Sequence, residues 1–124
     1  MSTTIQEGKF LSDLLGAHDI SDFVAEVVTV SQGTDLERGD VLAMTAAKQV
    51  TLVGMQGTTP DQCYGILLDY AWNAGSLPVD TVTVARSGVF DATQLRVGGT
   101  VTLAQCESQL RLIGIFLEKL ALVP

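Results

Sequence analysis

Cys63-Tyr64-Gly65-Ile66-Leu67-Leu68 is apolar at nearly every position, whereas Thr81-Val82-Thr83-Val84-Ala85-Arg86-Ser87-Gly88 alternates Val with Thr. The first pattern is that of a strand covered on both faces, the second that of a strand with one wet face. A Gly/Pro-bearing loop separates them, so the pair reads as two strands joined by a broad turn, with Ser87-Gly88-Val89-Phe90 closing the second. The rest of the chain must supply the cover.

Phe23 to Val30 is rich in β-branched residues and stops at Ser31-Gln32-Gly33, a turn signal, which predicts a first strand. Leu36 to Ala43 places Gly39-Asp40 between two apolar edges, and Val50-Thr51-Leu52-Val53 continues the β pattern. Short strands at this spacing predict a small barrel-like or bent-ribbon β domain. Residues 54–62 and 69–80 read as loops, and the second carries the single tryptophan, Trp72. Two readings of Trp72 are open: an interface anchor, since aromatic residues concentrate at interface centres, or a ring capping the barrel end.

The helical period enters late. Thr102-Leu103-Ala104-Gln105 fits a capping box, Leu103, Cys106, Leu110 and Ile113 share one face, and Gly114 stands where a helix stops. Ile115-Phe116-Leu117 returns to strand, and Leu120 to Pro124 is an apolar tail. Residues 1–22 lack any steady period, yet Ile5, Phe10, Leu11, Leu14 and Leu15 are more apolar surface than a pure linker carries. The division expected is an extended N-terminal arm over 1–22 and one β-rich domain over 23–124, the arm either ordering on a partner or lying over the domain's own surface.

Charge narrows the range of partners. Of 14 acids, eight fall between Glu7 and Asp40, opposed there only by Lys9 and Arg38. With seven bases in all and no basic cluster, the chain lacks the footprint of a nucleic-acid binder. The acidic run is either a solvated surface or an arm steered toward a basic one. No apolar run approaches the ~18 residues of a membrane span, and the first residues do not form a signal segment. A soluble product made in a cytoplasm is expected, with no membrane partner.

Candidate chemistry is sparse. Cys63 and Cys106 each sit within an apolar pattern, as buried free thiols do, and one His with two distant Cys offers no zinc-type spacing. His18 lies in the arm without a positioned partner, Gly98-Gly99 is followed by no Lys-Ser/Thr, and the carboxylate pairs Asp19/Asp22 and Glu37/Asp40 fall in arm or turn contexts that solvation explains. Arg38-Gly39-Asp40 spells a cell-adhesion tripeptide, but Gly-Asp is also what a tight turn requires. No catalytic residue, metal ligand or cofactor is expected.

Several segments in order carry a resemblance: Glu7-Gly8 with Phe10-Leu11, Val28 to Gly33, Leu36 to Ala43, Tyr64 to Leu68, Thr81 to Phe90, and Leu110 to Ile115. Over nearly its whole length the chain resembles the lambda-type bacteriophage head decoration proteins, small capsid-stabilising proteins. The resemblance implies a β-clip-like domain with little helix, a homotrimer on the outer surface of the expanded capsid, and an arm reaching the major capsid protein. It assigns capsid contact to Ile5, Glu7, Gly8, Lys9 and Phe10. Trp72 has no family counterpart, and the apolar tail after Leu117 is a second departure. The alternative is a β-clip module that binds a small ligand or glycan through the Arg38–Leu42 turn and Trp72.

Overall fold

A computed structural model describes residues 24–31, 35–69, 71–72 and 81–118. Its strands are β1 (Ala25–Thr29), β2 (Leu36–Glu37), β3 (Val41–Met44), β4 (Val50–Leu52), β5 (Cys63–Leu67), β6 (Ala71–Trp72), β7 (Thr81–Ala85), β8 (Gly88–Asp91) and β9 (Ile115–Glu118). One α-helix among the described residues, α1 (Leu103–Leu112), precedes β9. None of the described helices is long and apolar enough to cross a membrane.

Five strands form an antiparallel sheet in the order β1-β7-β5-β3-β4. The sheet curls until its edges meet: Val30, just past β1, bridges Val50 of β4 in parallel, and the Ser31 N–H donates to the Val50 carbonyl at 2.8 Å. The mainly β, barrel-like architecture with one short C-terminal helix is therefore the one the sequence predicts. Leu36↔Trp72 and Glu37↔Ala71 pair in a small ribbon, and β8 and β9 form a separate parallel pair.

Side-chain alternation sorts the apolar residues into two cores. On one face of the sheet Val41, Ala43, Val53, Ile66, Leu68 and Ala85 meet Phe90, Cys106, Leu110 and Ile115 from β8, α1 and β9. On the other, Leu42, Val50, Leu52, Leu67, Val82 and Val84 pack with Val30 and Leu36. Consecutive residues of Ile66-Leu67-Leu68 thus enter opposite cores, which is why that run is apolar throughout. Each fully buried aliphatic side chain contributes about 1.5–3 kcal/mol relative to exposure, so the doubly covered centre is the most heavily stabilised part of the sheet.

The second central strand differs from expectation. It does not run on to Phe90: β7 ends at Ala85, the chain bends at Arg86-Ser87, and β8 leaves the sheet to pair with β9. Arg86 holds the break. Its guanidinium stacks 3.7 Å from the centroid of the Tyr64 ring and donates to the Tyr64 carbonyl, while Gly88 takes φ +130°, a conformation open to glycine. Gly65 permits the crossing, because a Cβ there would overlap the Ala85 carbonyl and a Val84 methyl.

Helix α1 forms where its capping box stands. Gln105 N–H donates to Thr102 Oγ1 at 3.3 Å, the Thr102 N–H donates to Gln105 Oε1 at 2.9 Å, and Gly114 closes the helix at φ +96°. Gln109 Nε2 donates to the Asp61 carbonyl at 2.9 Å, fixing the helix against the chain entering β5.

Candidate functional site

The residues that sequence reading assigns to partner contact, Ile5, Glu7, Gly8, Lys9 and Phe10, lie outside the described residues, as does His18. The structure instead defines the root from which that segment departs. The Val24 N–H donates to Ser87 Oγ at 3.1 Å and the Val24 carbonyl accepts from the Arg86 N–H at 2.7 Å, so both polar groups of Val24 are held by the bend after β7. From there β1 runs along the sheet edge, paired along its length with β7. Val24 and Val27 are 61% and 66% exposed. A rigid root beside an edge strand is suited to holding an extended segment against a partner surface.

The same bend organises a polar cluster. Tyr64 Oη donates to Glu26 Oε1 at 2.7 Å, and Arg86 Nε lies 3.3 Å from the same oxygen. Burial, reinforced by the bond to Glu26, raises the Tyr64 phenol above its usual range. A phenol so held is neither an acid nor a nucleophile near neutrality. The Glu26–Arg86 pair is partly exposed, so its ion-pair component amounts to about 0–1 kcal/mol, and its role is to hold β1, β5 and the bend together.

The Arg38–Asp40 turn changes meaning. Asp40 is not a solvated turn carboxylate, as its sequence context implies: it is 0% exposed. Arg96 donates Nε to Oδ1 and Nη2 to Oδ2, both at 2.7 Å, and the Glu37 N–H donates to Oδ2 at 2.8 Å. Arg38 Nε donates to the Leu68 carbonyl at 2.7 Å. Burial raises the Asp40 pKa, opposed by the hydrogen bonds from Arg96 and Glu37, while the bond to Asp40 raises that of Arg96. The two shifts pull in opposite senses for the ionised pair. The bidentate geometry identifies the pair as ionised, with burial the cost it carries. The triplet therefore cannot offer its acid to an adhesion receptor, nor to a glycan.

Trp72 is placed by its backbone, opposite Leu36 in the β2–β6 ribbon. A groove of about 230 Å³ is lined by Ala92, Leu103, Ala104, Glu107 and Leu117, none of which belongs to the Arg38–Leu42 turn. Among the described residues no three His, Cys, Asp or Glu side chains converge as metal ligands. Both cysteines are reduced; Cys106 is buried as predicted, whereas Cys63 is only partly so.

Sequence reading did not find the Asp40–Arg96 pair or the Glu26–Tyr64–Arg86 cluster. Their members lie 56 and 22–38 residues apart, so no local spacing announces them. A family model described as Bacteriophage lambda head decoration protein D matches residues 4–114. That span runs from the segment before β1 to the turn that closes α1 and contains the resemblance-assigned positions 5–10. No curated protein matches the chain.

Proposed function

The chain belongs to the bacteriophage lambda head decoration protein D family, and we propose that it binds the outer surface of the expanded phage capsid as a homotrimer and cements that shell. Proteins of this family are structural components of the phage head, which gives the chain a place on the virion capsid. In our reading the partner is the major capsid protein, and synthesis takes place in the host bacterial cytoplasm. Residues 1–22 act as the arm and residues 23–124 as the body. Ile5, Glu7, Gly8, Lys9 and Phe10 lie on the capsid, adding a strand to an exposed sheet edge in the manner of β-augmentation.

The observation that carries this reading is the clamped arm root, Val24 between Arg86 and Ser87 at the edge of the barrel. Force on an arm so rooted passes into the sheet rather than into a loop. A stable contact needs about 800 Å² per partner, within reach of a small body with an ordering arm. Three arms engaged together gain from effective concentration. Binding confined to the expanded shell stabilises that shell by linkage.

The test is deletion of residues 2–20 followed by a binding assay on expanded capsids. The truncated protein is expected to keep its thermal transition and its β-rich circular dichroism but to lose capsid binding. Decoration at full affinity by the folded, truncated protein overturns the arm assignment.

A further inference from the structure

We propose that Cys63 and Cys106 form a redox-convertible pair, a dithiol that closes into an intramolecular disulfide joining β5 to α1. Cys63 opens β5, and Cys106 lies in the first half of α1 with its side chain fully buried in the core that Cys63 packs against. The two thiols hydrogen-bond one another. An independent contact fixes the same juxtaposition. Gln109, one turn after Cys106, bonds the carbonyl of Asp61, two residues before Cys63. Helix and strand are thus pinned on the side where the sulfurs meet.

The chemistry follows from the exposures. Cys106 is sealed, while Cys63 is partly open to solvent, so a small oxidant reaches Cys63. The hydrogen bond to Cys106, then burial, holds the Cys63 thiol above the usual range, and the same bond holds Cys106 below it against burial. The pair shares its proton and loses the first one more readily than an isolated buried thiol. With oxidised glutathione as the oxidant, the Cys63 thiolate, its proton passed to Cys106, attacks one glutathione sulfur and expels a glutathione thiolate. The Cys106 thiolate then attacks the Cys63 sulfur of the mixed disulfide and expels the second. The two thiol protons end on the two glutathiones, and the two electrons lost by the protein reduce the glutathione disulfide. A reducing cytoplasm keeps the dithiol, and an oxidising medium outside the cell favours closure.

The experiment equilibrates the full-length protein with oxidised glutathione, then titrates thiols under denaturing conditions and maps tryptic peptides without reductant. Both thiols are expected to disappear and one peptide pair to appear linked through Cys63 and Cys106. The melting temperature should rise by at least about 5 °C, because the link closes a long loop of the unfolded chain. Retention of both thiols, a lasting glutathione adduct on Cys63, or a link between two chains overturns the proposal. Cys63→Ala, at the partly exposed position, provides the control. Its melting temperature should not respond to the oxidant, and a rise equal to that of the parent protein overturns the proposal as well.

Discussion

Asp40 and Arg96 meet through two 2.7 Å hydrogen bonds across 56 residues of sequence, with the carboxylate fully buried and the guanidinium partly open to solvent. Their backbones are tied as well: the Val41 N–H donates to the Arg96 carbonyl at 2.9 Å and the Arg96 N–H to the Gly39 carbonyl at 3.1 Å. The pair fastens the turn before β3 to the passage that leads into α1.

Arg96→Ala leaves a buried carboxylate without its cation, and breaking such a pair costs about 3–5 kcal/mol. The sign of the pH effect follows from Asp40. Its pKa is already raised by burial from the usual 3.8, and loss of Arg96 removes the leading influence that lowers it. A group whose folded pKa exceeds its unfolded one favours folding at low pH, and that contribution is lost as pH rises through the folded pKa. Urea melts of Arg96→Ala and parent should therefore differ most near neutrality and converge as pH falls toward about 4. A deficit independent of pH would show that the carboxylate is not the cause.

Gly65→Ala is expected to destabilise by about 1–3 kcal/mol or more through overpacking, because the added methyl meets the backbone of Ala85 and cannot push it aside cheaply. Gly57 gives the contrast. A Cβ there meets nothing within 4 Å, but φ is +79°, so Gly57→Ala carries backbone strain alone, on the order of 1 kcal/mol. Denaturant midpoints of the two variants test the ranking, and a Gly65→Ala protein as stable as Gly57→Ala contradicts the close crossing of β5 and β7.

What the sequence makes legible is what neighbouring residues decide. The doubly covered strand shows in Ile66-Leu67-Leu68, and the helix shows in Thr102, Gln105 and Gly114, because pattern and caps are local. Thr59-Pro60-Asp61-Gln62 obeys a similar capping rule, with the Thr59 N–H donating to Gln62 Oε1 at 2.9 Å, but its three-residue turn is too short to carry an apolar period and reads as loop. The Val30–Val50 closure and the Asp40–Arg96 pair are long-range, and an Asp in a Gly-Asp turn looks the same whether solvated or buried. The break at Arg86 is hidden because Val82 to Phe90 continues in residues that suit a strand. For the arm, only its root is described, so the site reading is built from its point of attachment.

Thr51→Val should stabilise the protein. Thr51 is fully buried, and its hydroxyl has no hydrogen-bond partner. A buried polar group left unsatisfied costs about 1–3 kcal/mol, and valine replaces the hydroxyl with a methyl of nearly the same shape that suits a strand. The midpoint of urea unfolding should shift upward with an unchanged denaturant slope, by an amount equivalent to about 1 kcal/mol. A downward shift would mean that the hydroxyl is satisfied in solution.

Association with capsids should slow as salt is raised if the acidic segment steers the encounter. The formal charge is -7, and eight of the 14 acids precede Val41. Within that run Glu26 is paired with Arg86, and Glu37 and Asp40 share Arg96. The two arginines offset much of the field of those three acids, which leaves Glu7, Asp13, Asp19 and Asp22, ahead of Val24, as the main source. Exposed charges are screened beyond about 10 Å at 0.1 M salt, and steering acts on the association rate more than on the final contacts. Stopped-flow association should therefore show a rate that falls with ionic strength, and replacing Asp13, Asp19 and Asp22 together by Asn should flatten that dependence while leaving the melting temperature unchanged. A parent rate indifferent to salt rules steering out and assigns the acidic run to solvation alone.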